Sequence, residues 1–233
     1  MKTLGLLSAF AVIALGSIAQ AQTPAPTPAP AAAPTPPQFP NMSFFISSTP
    51  GAAGANFGGL EGADAFCQGL AVKAGAGAKT WRAYLSQQAM DGKTAIHAKD
   101  RIGKGPWINA EGVEIAANVA DLHTPEKVKI NVETGMTDTG KRVMSRLFVV
   151  NYHDILTGTQ ADGTAPAAGK DLTCGNWTKA GEGSAIVGHH DRMGLRDDAA
   201  AKSWNMSHPS RGCDNASLRA TGGNGLIYCF AAN

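Results

Sequence analysis

Cys67, Cys174, Cys213 and Cys229 are the only cysteines among 233 residues, and what they can do depends on the compartment they reach. The N-terminus supplies that reading. Lys2 precedes an apolar run from Leu4 to Ile18, and Ala19-Gln20-Ala21 follows ahead of Gln22. This charged, apolar and small-residue order is that of a secretory signal peptide over residues 1–21 with an A-x-A cleavage site. The run is about 15 residues against the roughly 20 that a membrane-crossing helix requires, so cleavage rather than anchoring is expected. The predicted location is secreted or periplasmic, with no transmembrane segment left after cleavage. An even set of thiols in an oxidising compartment predicts two disulfides. A zinc cluster built on them is not predicted, because no C-x-x-C or C-x-x-H spacing occurs and structural zinc sites use such closely spaced ligands. Four cysteines allow three pairings, and spacing alone leaves all of them open.

Residues 22–38 are almost wholly Thr, Pro and Ala and read as a linker. In polyproline II form, at about 3.1 Å per residue, such a segment spans on the order of 45 Å. Residues 39–233 then suit one sizeable core, since no repeat, charge block or second low-complexity stretch divides them. The formal net charge is +2 with Lys and Arg scattered. No nucleic-acid stripe or polybasic membrane patch is therefore expected.

Within this domain, Ser43 to Ser47 reads as an opening strand. Leu60, Ala63, Cys67, Leu70, Ala71 and Ala74 recur at helical spacing and Gly75 and Gly77 stop the pattern, which places Cys67 on the buried face. Trp81 to Ser86 alternates as a strand, and Asp100 to Trp107 reads as a turn. Val113 to Leu122 is apolar and fits either element. Leu147 to Val150 reads as a short buried strand, and Asp154 to Gly169 as a long polar loop of the kind that carries function. Thr173 to Trp177, Ala185 to His189 and Leu226 to Phe230 read as short strands, the last after an Asn224-Gly225 turn. One early amphipathic helix with many short strands and long loops predicts an α+β domain.

The segment Gly59-Leu60-Glu61-Gly62-Ala63-Asp64-Ala65-Phe66-Cys67-Gln68, followed by Trp81-Arg82-Ala83-Tyr84-Leu85-Ser86, resembles the helix-and-strand opening of endostatin, the C-terminal domain of certain collagens. Asp100-Arg101, Thr173-Cys174-Gly175-Asn176-Trp177-Thr178, Cys213 and Tyr228-Cys229-Phe230 fall in a similar order downstream. The chain also resembles secreted bacterial proteins labelled lectins. Both groups have the C-type-lectin-like fold, and the resemblance spans the whole chain after the linker. It implies short helices, small sheets, a long loop region and nested crosslinks, Cys67 with Cys229 and Cys174 with Cys213. It implies a ligand-binding module rather than an enzyme, with a glycan or another cell-surface ligand as partner, although a fold alone does not transfer function.

The departures narrow that expectation. The Glu-Pro-Asn or Gln-Pro-Asp loop of calcium-dependent sugar binders is absent, and their Trp-Asn-Asp strand is matched only by Trp204-Asn205-Met206. A thioether cannot replace one of the six to eight hard oxygen ligands that calcium takes. Endostatin's N-terminal histidine-rich zinc site and its arginine-rich heparin surface likewise have no counterpart here. Asp154 and Asp162 in the long loop, with Trp204 and Asn205, are the expected ligand-binding residues. An aromatic face suits the C–H face of a pyranose.

His189, Asp191 and His208 form the candidate metal set. In an extended segment His189 and Asp191 share one face while His190 points away, and two imidazoles with a carboxylate suit an open zinc site. No other cofactor is expected, and no residue is assigned a catalytic role. The G-x-S-x-G, H-E-x-x-H, Walker and dinucleotide-binding motifs are absent. A protein-adhesion or structural domain and a metal-dependent hydrolase on His189, Asp191 and His208 are the rival functions.

Overall fold

The computed structural model describes residues 37–233, which belong to one compact unit. The expected signal peptide, and the linker up to residue 36, lie outside the described residues. No helix among the described residues is long and apolar enough to cross a membrane.

Strand β8 (Gly223–Ala231) is the spine of the fold. Strands β1 (Phe44–Ile46) and β2 (Trp81–Ala83) pair antiparallel with its C-terminal half. Strand β5 (Asp154–Leu156) runs parallel to its N-terminal half and continues through β6 (Ile186–His189) to β7 (His208–Pro209). A separate hairpin joins β3 (Trp107–Ile108) to β4 (Glu114–Ala116). The longest helix, α1 (Gly59–Lys73), packs on β2, and the short α2 (Val119–Leu122) follows β4. The chain is therefore α+β, with small sheets and few helices.

Alternation along β8 divides the core into two halves. Ile227, Cys229 and Ala231 face α1 with Cys67, Leu70 and Trp81, whereas Leu226, Tyr228 and Phe230 face the loop-rich half with Tyr84, Trp107 and Trp204. A strand whose two faces are both covered must be apolar at every position, which is what this segment offers. Cys67 bonds Cys229 and Cys174 bonds Cys213, one crosslink nested within the other, so α1 is tied to β8.

Four expectations need correction. Thr173 to Trp177 is not a strand: Cys174–Trp177 (α3) is a helical turn in which Cys174, Gly175, Asn176 and Trp177 all have positive φ, 50°, 63°, 54° and 67°. Left-handed backbone costs about 1–2 kcal/mol for each non-glycine residue, and the surroundings hold it there. Trp177 Nε1 donates to Ser86 O at 2.7 Å, Asn176 Oδ1 accepts from Gln88 N at 2.8 Å, and Asp171 Oδ2 accepts from Gly175 N at 2.8 Å.

Asn224-Gly225 lies inside β8 rather than before it, where the register with β5 slips between Asp154 and Ile155. Gly225 has φ 70°. The expected Asp154 to Gly169 loop begins as β5, so Asp154 sits in the sheet.

Leu147 to Val150 is neither a strand nor buried; all four side chains are exposed. Its backbone closes locally, with Phe148 N donating to Ser145 O and Tyr152 N to Met144 O, so no sheet edge takes it up. Because Val149 is fully exposed, Val149→Asp should change unfolding free energy by no more than about 0.5 kcal/mol. Urea denaturation checks this, and a loss above 2 kcal/mol would mean that the segment is covered.

Candidate functional site

Three strands and the residue before one of them assemble a buried carboxylate among imidazoles. Asp154 on β5 is paired in register with His189 on β6, and His208 on β7 pairs with Val187 of the same strand. Side chains opposite one another on neighbouring strands point to the same face, so Asp154 and His189 meet and His208 joins them diagonally. His153 comes from the residue preceding β5. Asp154 Oδ1 lies 3.2 Å from His153 Nε2, 3.3 Å from His189 Nε2 and 3.5 Å from His208 Nε2. The two latter nitrogens are 3.0 Å apart.

The partners of the opposite ring nitrogens fix the tautomers. His189 Nδ1 lies 2.8 Å from Ala201 O, and His208 Nδ1 lies 3.2 Å from Pro209 O. A carbonyl oxygen only accepts, so both Nδ1 atoms carry the hydrogen. His153 Nδ1 donates likewise to Asp191 Oδ1 at 3.2 Å. In the neutral rings every Nε2 lone pair is thus turned toward Asp154. Both Asp154 carboxylate oxygens are fully buried and receive no hydrogen bond of acceptable geometry.

Burial opposes ionisation of Asp154, yet contact with His189 and His208 more than offsets it and holds the carboxyl below the usual range. Contact with Asp154 in turn raises the pKa of His208. Asp191 is held down to about 2: burial pushes it up, and the His153 hydrogen bond and the Arg146 backbone N–H outweigh that push. Burial lowers the fully enclosed His190 to about 4, which keeps it neutral.

Of the candidate metal set, His189 and His208 come together and Asp191 does not join them directly. β6 ends at His189 and residues 190–191 turn, so strand alternation no longer governs where Asp191 points. It stands behind His153, accepting also from Arg146 N at 2.8 Å. Asp154 occupies the role expected of Asp191, and His153 was missed. The sequence signal for both was the adjacent His-Asp pair directly ahead of the apolar Ile155 and Leu156.

The expected ligand-binding residues separate. Asp154 is buried in the sheet, whereas Asp162 is exposed and accepts from Thr164 N and Oγ1 at 3.0 and 2.6 Å. Trp204 is only 4% exposed; its Nε1 donates to Leu122 O and its ring packs on Tyr84 and Tyr228. Asn205 is buried as well, its amide nitrogen donating to Tyr84 Oη, Gln160 O and Ala161 O. Both therefore shape the wall of a site rather than reach into solvent.

That wall belongs to a cleft of about 600 Å³ lined by His123, Glu126, Ala161, Arg192, Lys202 and Trp204 among others. It lies between the 157–169 loop and residues 192–206. His123 is fixed by Val119 O at 2.8 Å on Nδ1, so Nε2 accepts from Tyr84 Oη at 2.7 Å. A second cavity, about 250 Å³, is lined by His153, His189 and His208 together with Arg146, Leu195 and Arg196.

No protein-family model matches the chain, and no curated protein matches it.

Proposed function

We propose that this chain is an exported, C-type-lectin-like ligand-binding module whose ligand is a carbohydrate held in the 600 Å³ cleft. The cleft is the observation that carries the reading. It is lined by His123, Ala161, Ala199, Ala200 and Trp204 and rimmed by Glu126, Arg192, Lys202 and Ser203. An apolar floor with a few polar groups at its edge suits a sugar's C–H face and hydroxyls. The nested crosslinks, with α1 tied to the last strand, agree with those the lectin-like resemblance implies. The predicted signal peptide and the two disulfides favour a secreted or periplasmic location.

Recognition does not use calcium at the Trp204-Asn205-Met206 segment, which is irregular here. The Asn205 amide is engaged within the protein and Met206 offers no hard oxygen. Ala161 lines the cleft with an exposed side chain, so Ala161→Trp fills the space without disturbing the core. Glycan arrays and cell-wall pull-downs with the folded chain should show binding that this variant weakens at least tenfold, about 1.4 kcal/mol. Absence of binding to every polysaccharide, with or without divalent metal, would reject a lectin.

A metal-dependent hydrolase is the second reading. Convergence of His189 and His208 on Asp154 at an open cavity favours it, and hydrolytic turnover by the metal-loaded chain separates it from a pure binding module.

A further inference from the structure

We propose that Asp154, His189 and His208 bind a divalent transition-metal ion of the zinc class. This goes beyond the carbohydrate reading and holds whichever function the cleft serves.

Geometry supplies the first argument. Zinc sits about 2.0–2.1 Å from imidazole nitrogen and 2.0–2.2 Å from carboxylate oxygen in a tetrahedral site, so neighbouring donor atoms stand about 3.3–3.5 Å apart. Asp154 Oδ1, His189 Nε2 and His208 Nε2 form a triangle with sides of 3.3, 3.5 and 3.0 Å. This matches one face of such a tetrahedron. His153 Nε2 stands 3.2 Å from the same oxygen, but its ring stacks on that of His189 with centroids 4.2 Å apart and planes 12° from parallel, so the two lone pairs do not converge on one ion and the fourth position stays open.

The second argument is electrostatic. With each Nδ1 donating elsewhere, the Nε2 atoms are unprotonated whenever the rings are neutral, and they then stand against the buried Asp154 carboxylate with no proton between them. Like-signed partial charges at 3.0–3.5 Å repel, and the repulsion is strong where water is excluded. A cation at their centre turns every one of those contacts into an attraction.

The outer partners follow the rule for metal-bound histidine, in which the far ring nitrogen donates to a carboxylate or a carbonyl. The Ala201 and Pro209 carbonyls serve His189 and His208, and Asp191 holds the His153 ring that stacks on His189. Asp191 is itself fixed by the Arg146 and Met193 backbone N–H groups. Donor chemistry selects the ion. Imidazole nitrogen suits zinc, copper, iron and nickel, while a single carboxylate gives calcium or magnesium too few oxygens. The cavity beside His208, whose side chain is 37% exposed, gives the ion a way in.

The test is zinc titration of the untagged, chelator-stripped full chain, read by competition with a chromophoric chelator and by thermal denaturation. The expected result is one equivalent bound per chain. At a hundredfold excess over Kd, Tm should rise by about 5–10 °C, and calcium at the same concentration should leave it unmoved. His208→Ala, at the partly exposed ligand, should fold and lose at least about 100-fold in zinc affinity. Asp154→Asn should lose as much, whereas Asp191→Asn, which reaches the site only through the stacked His153 ring, should lose less than either. A substoichiometric uptake, an equal response to calcium, or unchanged zinc affinity in His208→Ala would overturn the assignment. Substoichiometric uptake would leave the cluster a charge-paired imidazolium and carboxylate, an equal calcium response an unselective charge site, and unchanged affinity in His208→Ala a zinc site elsewhere.

Discussion

Replacing Cys67 and Cys229 together with alanine should lower the unfolding free energy by about 5 kcal/mol, enough to leave the domain largely unfolded at 37 °C. In the chain-entropy argument a crosslink acts on the unfolded state in proportion to the logarithm of the loop it closes. The separation here is 162 residues, against 39 for Cys174 and Cys213, so the inner pair is worth about 4 kcal/mol on the same basis. Domain stabilities are about 5–15 kcal/mol in total. The location adds to the outer loss, because Cys229 lies in register with Phe45 on one side of β8 and Ala83 on the other. Both sulfurs are fully buried, and alanine leaves a gap between α1 and the sheet. Guanidinium unfolding of the two double variants checks the order. An outer variant as stable as the inner one would show that the long loop is already constrained in the unfolded chain.

The parts of this fold that were legible in the sequence are those with local periodicity. Helix α1 showed through Cys67, Leu70 and Ala71 at helical spacing, and β8 through an apolar run whose two faces both needed covering. The candidate site was half legible. His189 and His208 stood out as histidines in polar segments, but Asp154 read as a loop carboxylate because Thr157, Thr159 and Gln160 follow it. Three residues of strand are too few for a period to show. What places Asp154 is pairing with β6 and β8, segments 30 and more positions away in the chain. Asp191 failed for the opposite reason, since alternation was carried two residues past the end of its strand. Trp204 and Asn205 looked exposed beside Ser203 and Ser207, yet Tyr84, Leu122 and Tyr228 enclose them. No local pattern reports contacts at that range.

The same long-range logic makes Asp64 the most sensitive polar residue in the α1 half. Its carboxylate accepts from Arg101 Nη2 at 2.7 Å on both oxygens, from Arg82 Nη1 at 2.8 Å and from Ala83 N at 2.9 Å. The Asp64 and Arg101 side chains are each only 11% exposed. Desolvation lowers the pKa of the Arg101 guanidinium and Asp64 pulls it back toward the charged form. Asp64→Ala therefore strands a buried cation and a strand N–H together, and should cost about 3–5 kcal/mol. Arg82→Ala, on a side chain 43% exposed, should cost no more than about 1 kcal/mol.

A double variant, Asp64→Leu with Arg101→Met, tests the cause. If the single loss comes from an uncompensated charge, removing both charges should recover a good part of it. Recovery must stop short of complete, because Arg101 Nη1 also serves Ala83 O at 2.6 Å and Leu85 O at 3.2 Å, and methionine leaves those carbonyls without a donor. Urea midpoints of the wild type, Asp64→Leu, Arg101→Met and the double variant complete the cycle. A double variant no better than Asp64→Leu would mean that the carboxylate matters through the Ala83 N–H at the end of β2 and not through Arg101.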